Sequence, residues 1–271
     1  MNPFTFWNPT RIHFGEGQIA KLKNEIPAYK KVLLLYGGGS IKKNGVYNQV
    51  KEALSQHEVV EFGGIEPNPH YETLMEAVKI VRHEKIDFLL AVGGGSVIDG
   101  TKFVSVAAPF VDGDPWDIVA KGAETSGLKV PFGTVLTLPA TGSEMNKASV
   151  VTRAETKEKR GFLRDELFPV FSILDPTTTY SLPREQIANG VVDAFVHVIE
   201  QYLTYPVNAP LQDQFAESLL KTLVSEGPKA LALPEDYNIR SNIMWCSTMA
   251  LNGVIGSGVP QDWSTHMIGH E

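Results

Sequence analysis

The chain has 271 residues, 43% hydrophobic and 20% charged, the balance of an ordinary globular protein with a sizeable core. Its 24 basic residues against 31 acidic ones leave a formal charge of −7, which argues against nucleic acid or an anionic membrane as a partner. No apolar run approaches a membrane span, the start "MNPFTFWNPTRIHFG" does not read as a signal peptide, and the single cysteine, Cys246, cannot form an internal disulfide, so a cytoplasmic protein is expected.

In chain order, "KVLLLY" (residues 31–36) reads as a buried strand closed by "GGGS", and a helical pattern follows through "YNQVKEALSQ". The strand-like "EVVEF", the turn "GGIEPNPH" and the helix "YETLMEAVKIVRHEK" come next, the last with Leu74, Ala77, Val78 and Val81 at helical spacing. "DFLLAV" (87–92) is a second buried strand, again closed by "GGGS", and "GTVLTL" (133–138) is a third. Alternating strands and helices predict a parallel sheet with right-handed crossovers. From Leu182 onward the pattern changes to "LPREQIANGVVDAFVHVIEQYL", "APLQDQFAESLLKTLVSEGPKAL" and "NIRSNIMWCSTMALNGVIG", helical stretches with no strand between them. The break near "LDPTTTYSLP" predicts an α/β domain over residues 1–180 and an all-helical domain over 181–271.

Two glycine-rich loops follow sheet strands. "VGGGSVIDGTKF" leads from the second strand into a helix opening near Ser96, and "TLPATGSE" follows the third. At the carboxyl ends of parallel strands, such loops bring backbone N–H groups and a helix N-terminus toward an anion. Each alone also fits a tight turn or a helix cap, Ser143 and Glu144 being suited to a helix start. Two of them together favour a phosphate-bearing cofactor, although neither is a GxGxxG or GxxxxGK[ST] motif. The loop after the first strand, "YGGGSIKK", carries glycines, Lys42 and Lys43 where an acid would otherwise hold a ribose 2′-hydroxyl. An NADP-type cofactor fits that composition.

The apolar residues of "GVVDAFVHVI" wrap almost all the way round the helix, which predicts extensive burial, yet Asp193 and His197 share one face at i and i+4. A core Asp–His hydrogen bond accounts for such a pair, and so does a metal ion, which takes imidazole nitrogen and carboxylate oxygen at about 2 Å. His266 and His270, again one turn apart in "VPQDWSTHMIGHE", favour the ion: the spacing suits a site assembled from two helices.

Taken together, "GGGSVIDGTKF", "TLPATGSE", "LDP", "GVVDAFVHVIEQY" and "PQDWSTHMIGHE" resemble the metal-dependent group III alcohol dehydrogenases, the iron-containing family, along the whole chain. "YGGGSIKK", "EFGGIEPNPHYETLMEAVK" and "ANGVVDAFVH" are most similar to its NADPH-dependent broad-range aldehyde reductase and butanol dehydrogenase branch. The resemblance implies a Rossmann-like parallel-sheet domain followed by a helical metal-binding domain, the dehydroquinate synthase-like arrangement, with the active site in the cleft. It implies Asp193, His197 and His266 as ligands of Zn²⁺ or Fe²⁺, and His270 as a catalytic residue beside the nicotinamide, relaying a proton. For NADP(H) it implies Gly94, Gly95 and Ser96 at the pyrophosphate, with Asp99 in the same motif. Thr137, Leu138 and Thr141 fall in the second loop, Asn146 and Lys159 make further contacts, and Gly38, Gly39 and Ser40 line the adenosine end.

The family also carries a further histidine ligand and more helices beyond His270, so a chain incomplete at its C-terminus is expected, and a homodimer when full-length. The function expected is reversible reduction of small aldehydes to primary alcohols with NADPH. The alternatives are an NAD-linked polyol or lactaldehyde-type dehydrogenase of the same superfamily, or a non-catalytic nucleotide-binding fragment.

Overall fold

The computed structural model describes residues 1–125 and 127–270, apart from the side chain of His270. Its strands are β1 (Arg11–Phe14), β2 (Lys31–Tyr36), β3 (Glu58–Phe62), β4 (Phe88–Gly94), β5 (Phe132–Leu138), β6 (Ala148–Arg153), β7 (Glu158–Leu163) and β8 (Phe171–Leu174). Six of them form one parallel sheet in the order β1-β8-β5-β4-β2-β3, and β6 pairs antiparallel with β7 as a separate hairpin.

The apolar runs KVLLLY and FLLAVGG take interior positions of this sheet because both of their faces are covered. Alternate residues point to opposite faces. Leu33, Leu35, Leu89 and Ala91 meet α3 (Tyr71–Glu84) and α4 (Gly95–Ala107) through Leu74, Val78, Ile98 and Phe103. Val32, Leu34, Leu90 and Val92 meet α1 (Leu22–Glu25) and α2 (Val46–Ala53) through Leu22 and Val50. The short α5 (Trp116–Ala120) adds Trp116 and Ile118 to the first face. Helices on both faces of a parallel sheet are the doubly wound arrangement expected from the alternating pattern.

After β8 the chain is helical: α6 (Arg184–Tyr202), α7 (Pro210–Ala232), α8 (Tyr237–Ala250) and α9 (Ser264–His270). α6, α7 and α8 pack around Ala194, Val198, Ala216, Leu223, Cys246 and Ala250. Helix α7 runs through Pro228 without ending. No helix among the described residues is long and apolar enough to cross a membrane.

Two local expectations change. The helix start that Ser143 and Glu144 suit amounts to one 3₁₀ turn (Ser143–Met145), which leads into the β6–β7 hairpin. Nor is α6 buried all round: Ala194, His197, Val198 and Glu200 are buried, whereas Val192 is 59% exposed. Valine and isoleucine enrichment in "GVVDAFVHVI" hides this asymmetry from a periodicity reading. The exposed side of α6 borders a cleft.

Candidate active site

Gly190 is where α6 meets the loop after β5, because a Cβ at that position would come within 2.5 Å of the Pro139 carbonyl oxygen. The contact sets Asp193 and His197, one and two turns further along α6, beside Ala140. Around them lies a cleft of about 590 Å³, lined by Leu138 and Ala140 of the loop, Gly190, Asp193 and Val196 of α6, and His266 of α9.

Three potential ligand atoms converge there. Asp193, His197 and His266 each offer one donor atom, and these atoms lie within 4.8 Å of one another. His197 Nδ1 is 3.8 Å from Asp193 Oδ2, and His266 Nε2 is 3.8 Å from Asp193 Oδ1. The imidazoles stack with centroids 4.6 Å apart. A core Asp–His hydrogen bond would close to about 2.9 Å; at 3.8 Å neither ring is hydrogen-bonded to Asp193, and His197 Nδ1 is buried with no partner among the described residues. A buried ring nitrogen left without a partner is costly. One carboxylate oxygen and two imidazole nitrogens at these spacings fit a single divalent cation.

The electrostatics of the two rings diverge. Burial pushes the His197 imidazole below its ordinary value, against the pull of Asp193. His266 is held above its ordinary value, by Asp193 first and by Glu200 as well, with burial opposing. The two rings thus differ in how readily they take up a proton, His266 more readily than His197. A cation would compete with that proton.

The glycine loops meet on the sheet side of the cleft. Gly94 pairs with Leu138 across β4 and β5, and a Cβ at Gly95 would come within 2.5 Å of Thr141 Oγ1, so the two loops touch backbone to side chain. Ser96 Oγ accepts from the Asn68 N–H at 3.3 Å, and Thr141 Oγ1 accepts from the Ser143 N–H at 3.2 Å. Thr137 is buried beneath them.

Asp99 and Asn146 are engaged inside the protein. Asp99 accepts from Ser143 Oγ at 2.5 Å and from the Val150 N–H at 3.0 Å. Asn146 Oδ1 accepts from Lys102 Nζ at 2.9 Å and from the Ala148 N–H at 3.0 Å, while its amide nitrogen donates to the Thr141 carbonyl at 3.5 Å. Both side chains brace the loop after β5 against α4 and the hairpin. Lys159 sits on β7 opposite Thr152, near enough for its charge to bear on Asp99.

Gly38, Gly39 and Ser40 end β2, with Gly39 at φ 87° and open space where a Cβ at Gly38 would stand. The loop itself carries no acid, as read from its sequence. The neighbouring strand supplies one: Glu61 of β3 accepts from Tyr47 Oη at 2.6 Å and pairs with Lys42 Nζ at 3.2 Å. The Lys42 ammonium also lies 4.9 Å from the ring centres of Tyr36 and Tyr47. The relay role expected of His270 falls on a side chain outside the described residues.

Three polar groups near these loops escape a reading of the sequence. Lys102 is wholly buried in α4, Glu144 is wholly buried with Thr248 Oγ1 at 2.6 Å, and Glu200 contacts His266. Burial pushes the Glu144 carboxyl up. Only Glu200 leaves a legible trace, being seven residues beyond Asp193 and so on the same helix face.

A doubly wound sheet with glycine loops at its carboxyl edge, facing a carboxylate–imidazole cluster on the following helices, defines a dinucleotide- and metal-binding architecture. The chain belongs to the iron-containing alcohol dehydrogenase family: residues 9–176 match the model described as "Iron-containing alcohol dehydrogenase", and residues 187–271 match "Fe-containing alcohol dehydrogenase family, C-terminal". It is 58% identical to the NADPH-dependent aldehyde reductase YqhD of Escherichia coli over 272 residues, covering 100% of this chain and 70% of that protein. It is 49% identical to the probable NADH-dependent butanol dehydrogenase 1 of Bacillus subtilis, with the same coverage of 100% and 70%. Among solved structures, that of E. coli YqhD superposes with a TM-score of 0.98 at 57% identity, covering 100% of this chain and 70% of the other. The butanol dehydrogenase A of Thermotoga maritima gives 0.94 at 41% identity, covering 100% and 68%. The chain thus spans about 70% of the length of these curated relatives.

Proposed function

We propose that this oxidoreductase reduces small aldehydes to primary alcohols with NADPH, reversibly, at a divalent metal held by Asp193, His197 and His266. The observation that carries the reading is the shared cleft, which has Leu138 and Ala140 of the second loop on one side and Asp193 and His266 on the other. Residues 1–180 serve as the dinucleotide-binding unit and residues 181–271 as the metal and substrate unit. Zn²⁺ or Fe²⁺ bound there supplies Lewis-acid polarisation of a carbonyl, and NADPH supplies the hydride.

The chain's own residues bind, orient and exclude water. Gly94, Gly95 and Ser96 present backbone N–H groups at the start of α4, where a pyrophosphate is favoured by the helix N-terminus. Thr137, Leu138 and Thr141 direct the nicotinamide end toward the cleft, and Lys159 adds a cationic contact. Gly38, Gly39 and Ser40 leave room for the adenosine ribose and its 2′-phosphate. Asp99 and Asn146 hold the loops in register, a role their internal hydrogen bonds support. The apolar side of α6, Val192 and Val196, makes the cleft wall that excludes water from a small aliphatic substrate.

The same reading includes a cytoplasmic homodimer. Its supports are the single buried Cys246 and the exposed aromatics Phe4, Phe6 and Trp7 near the N-terminus.

Purified protein loaded with Zn²⁺ or Fe²⁺ should oxidise NADPH in the presence of butyraldehyde and lose that activity on chelation. No turnover with any short aldehyde in the metal-loaded protein would reject the reading. NADH as the preferred donor is the second reading, favoured by the Glu61 carboxylate beside Lys42. Specificity constants for the two donors decide between them.

A further inference from the structure

We propose that Glu200 is the positioning residue of the metal site, holding His266 as the Nδ1–H tautomer so that Nε2 presents its lone pair toward Asp193. The inference rests on Asp193, His197 and His266 being the ligand set.

Its first ground is placement. Asp193, His197 and Glu200 stand at i, i+4 and i+7 on α6, so the carboxylate follows the two ligand residues along one helix face. The second is the double contact with α9. Glu200 Oε1 accepts from the His266 backbone N–H at 3.0 Å, while Oε2 accepts from the same residue's ring Nδ1. The Glu200 carbonyl also accepts from the Asp262 N–H at 2.9 Å, just ahead of the helix. Backbone and ring of His266 are therefore clamped by one side chain, and a rotation of the ring would break one of the two bonds.

The third ground is burial. The Glu200 side chain is only 4% exposed, and a carboxylate so placed needs strong donors to offset its desolvation. Capping a short helix would not require it; serine or aspartate in the loop serves that purpose, as Asp262 does here by accepting from the Ser264 N–H at 2.9 Å. What the buried carboxylate adds is a fixed proton position on the imidazole. With Nδ1–H donated to Glu200, the lone pair must be on Nε2, the nitrogen that faces Asp193 at 3.8 Å. The opposite tautomer would set a lone pair against Glu200 and an N–H against the cation. A carboxylate behind a ligating imidazole also makes the ring a stronger donor. In His197 too, the nitrogen that faces Asp193, Nδ1, has no hydrogen-bond partner among the described residues.

The test compares wild type, Glu200→Ala and Glu200→Gln as the same full chain. Zinc affinity is read by competition with a chromophoric chelator, the His266 tautomer by imidazole ¹⁵N NMR of the metal-free protein at alkaline pH, and folding by metal-free melting. We expect Glu200→Ala to lose about 10- to 100-fold in zinc affinity. His266 in that variant should move from the Nδ1–H to the Nε2–H tautomer. Glu200→Gln keeps one acceptor oxygen for the ring but sets its NH2 against the backbone N–H, so it should fall between wild type and Glu200→Ala, with the Nδ1–H tautomer retained. A Glu200→Ala protein that melts lower but binds zinc as wild type, with the tautomer unchanged, would show a helix cap and overturn the proposal. Asp193→Ala in the same titration separates the two ideas. If it too binds zinc normally, the ligand set is wrong; if it loses zinc while Glu200→Ala keeps it, only the positioning role falls.

Discussion

Gly190 of α6 lies against the Pro139 carbonyl at the end of β5, so close that a Cβ would come within 2.5 Å of the oxygen. The metal-cluster helix and the second cofactor loop are therefore joined through backbone. In an exposed helix, glycine to alanine gains about 1 kcal/mol from propensity. Here the overlap is with a carbonyl that cannot rotate away, and overpacking of that kind costs about 1–3 kcal/mol. Gly190→Ala should lower the melting temperature and weaken NADPH binding together, because the relieving motion moves the loop. A variant as stable as wild type with unchanged NADPH affinity would show that α6 and the loop are independent.

Replacing Asp193 with alanine should remove metal and turnover together. Both imidazoles approach Asp193, each at 3.8 Å, so its loss removes the carboxylate they share. The glycine loops do not depend on it, and NADPH binding followed by fluorescence should persist. Elemental analysis of the purified variant is the check, with stoichiometric metal in active Asp193→Ala protein as the contrary result.

Gly38→Asp should shift preference from NADPH toward NADH. The position is exposed and a Cβ there meets nothing within 4 Å, so the side chain is accommodated without disturbing β2. A carboxylate in this loop repels a 2′-phosphate and accepts from a 2′-hydroxyl, a difference of about 1–3 kcal/mol and at least about tenfold in the ratio of specificity constants. An unchanged ratio would mean that the adenosine end is read elsewhere, with the paired Glu61 and Lys42 as the candidates.

Much of this architecture is legible in the sequence because its signals are strong. KVLLLY and DFLLAV are continuous apolar runs whose shortness and flanking glycines fit a doubly covered strand, and their GGGS closures mark the ligand edge of the sheet. Asp193, His197 and His266 stand out because a carboxylate and imidazoles at helical spacing are costly among apolar neighbours. The rest is quieter. β1 and β8 are four residues each, too short to show a period, and they are strands because they pair with each other, β8 also pairing with β5. The β6–β7 hairpin mixes ASVVTR with EKRGFL, a pattern that reads as charged loop until the two segments are paired. Lys102 looks like one more lysine in "GTKFVSV", yet Asn146 and Ala148, supplied by the turn before β6 and the first residue of that strand, make its burial possible. Long-range partners of this kind leave no local trace.

Lys102 makes a prediction about alkaline pH. Its ammonium is fully buried in α4 and donates to Asn146 Oδ1 at 2.9 Å and to the Ala148 carbonyl at 2.7 Å. Burial pushes its pKa down to about 8, with Asp99 and Glu144 working in the opposite direction. In the unfolded chain a lysine titrates near about 10.4. Between these values the unfolded state binds more protons than the folded one, so this residue's contribution to stability rises with pH from about 8 to about 10.4. Below that window the folded protein bears the cost of a buried charge. Chemical denaturation of wild type and Lys102→Met across neutral and alkaline pH isolates the contribution, since other titrating groups largely cancel in the difference. The two lost hydrogen bonds give a pH-independent offset. On top of it, wild type should gain about 1–3 kcal/mol relative to the variant as pH rises through the window. A difference that stays flat with pH would mean that Lys102 keeps its proton in the folded protein, its charge fully balanced by the neighbouring carboxylates.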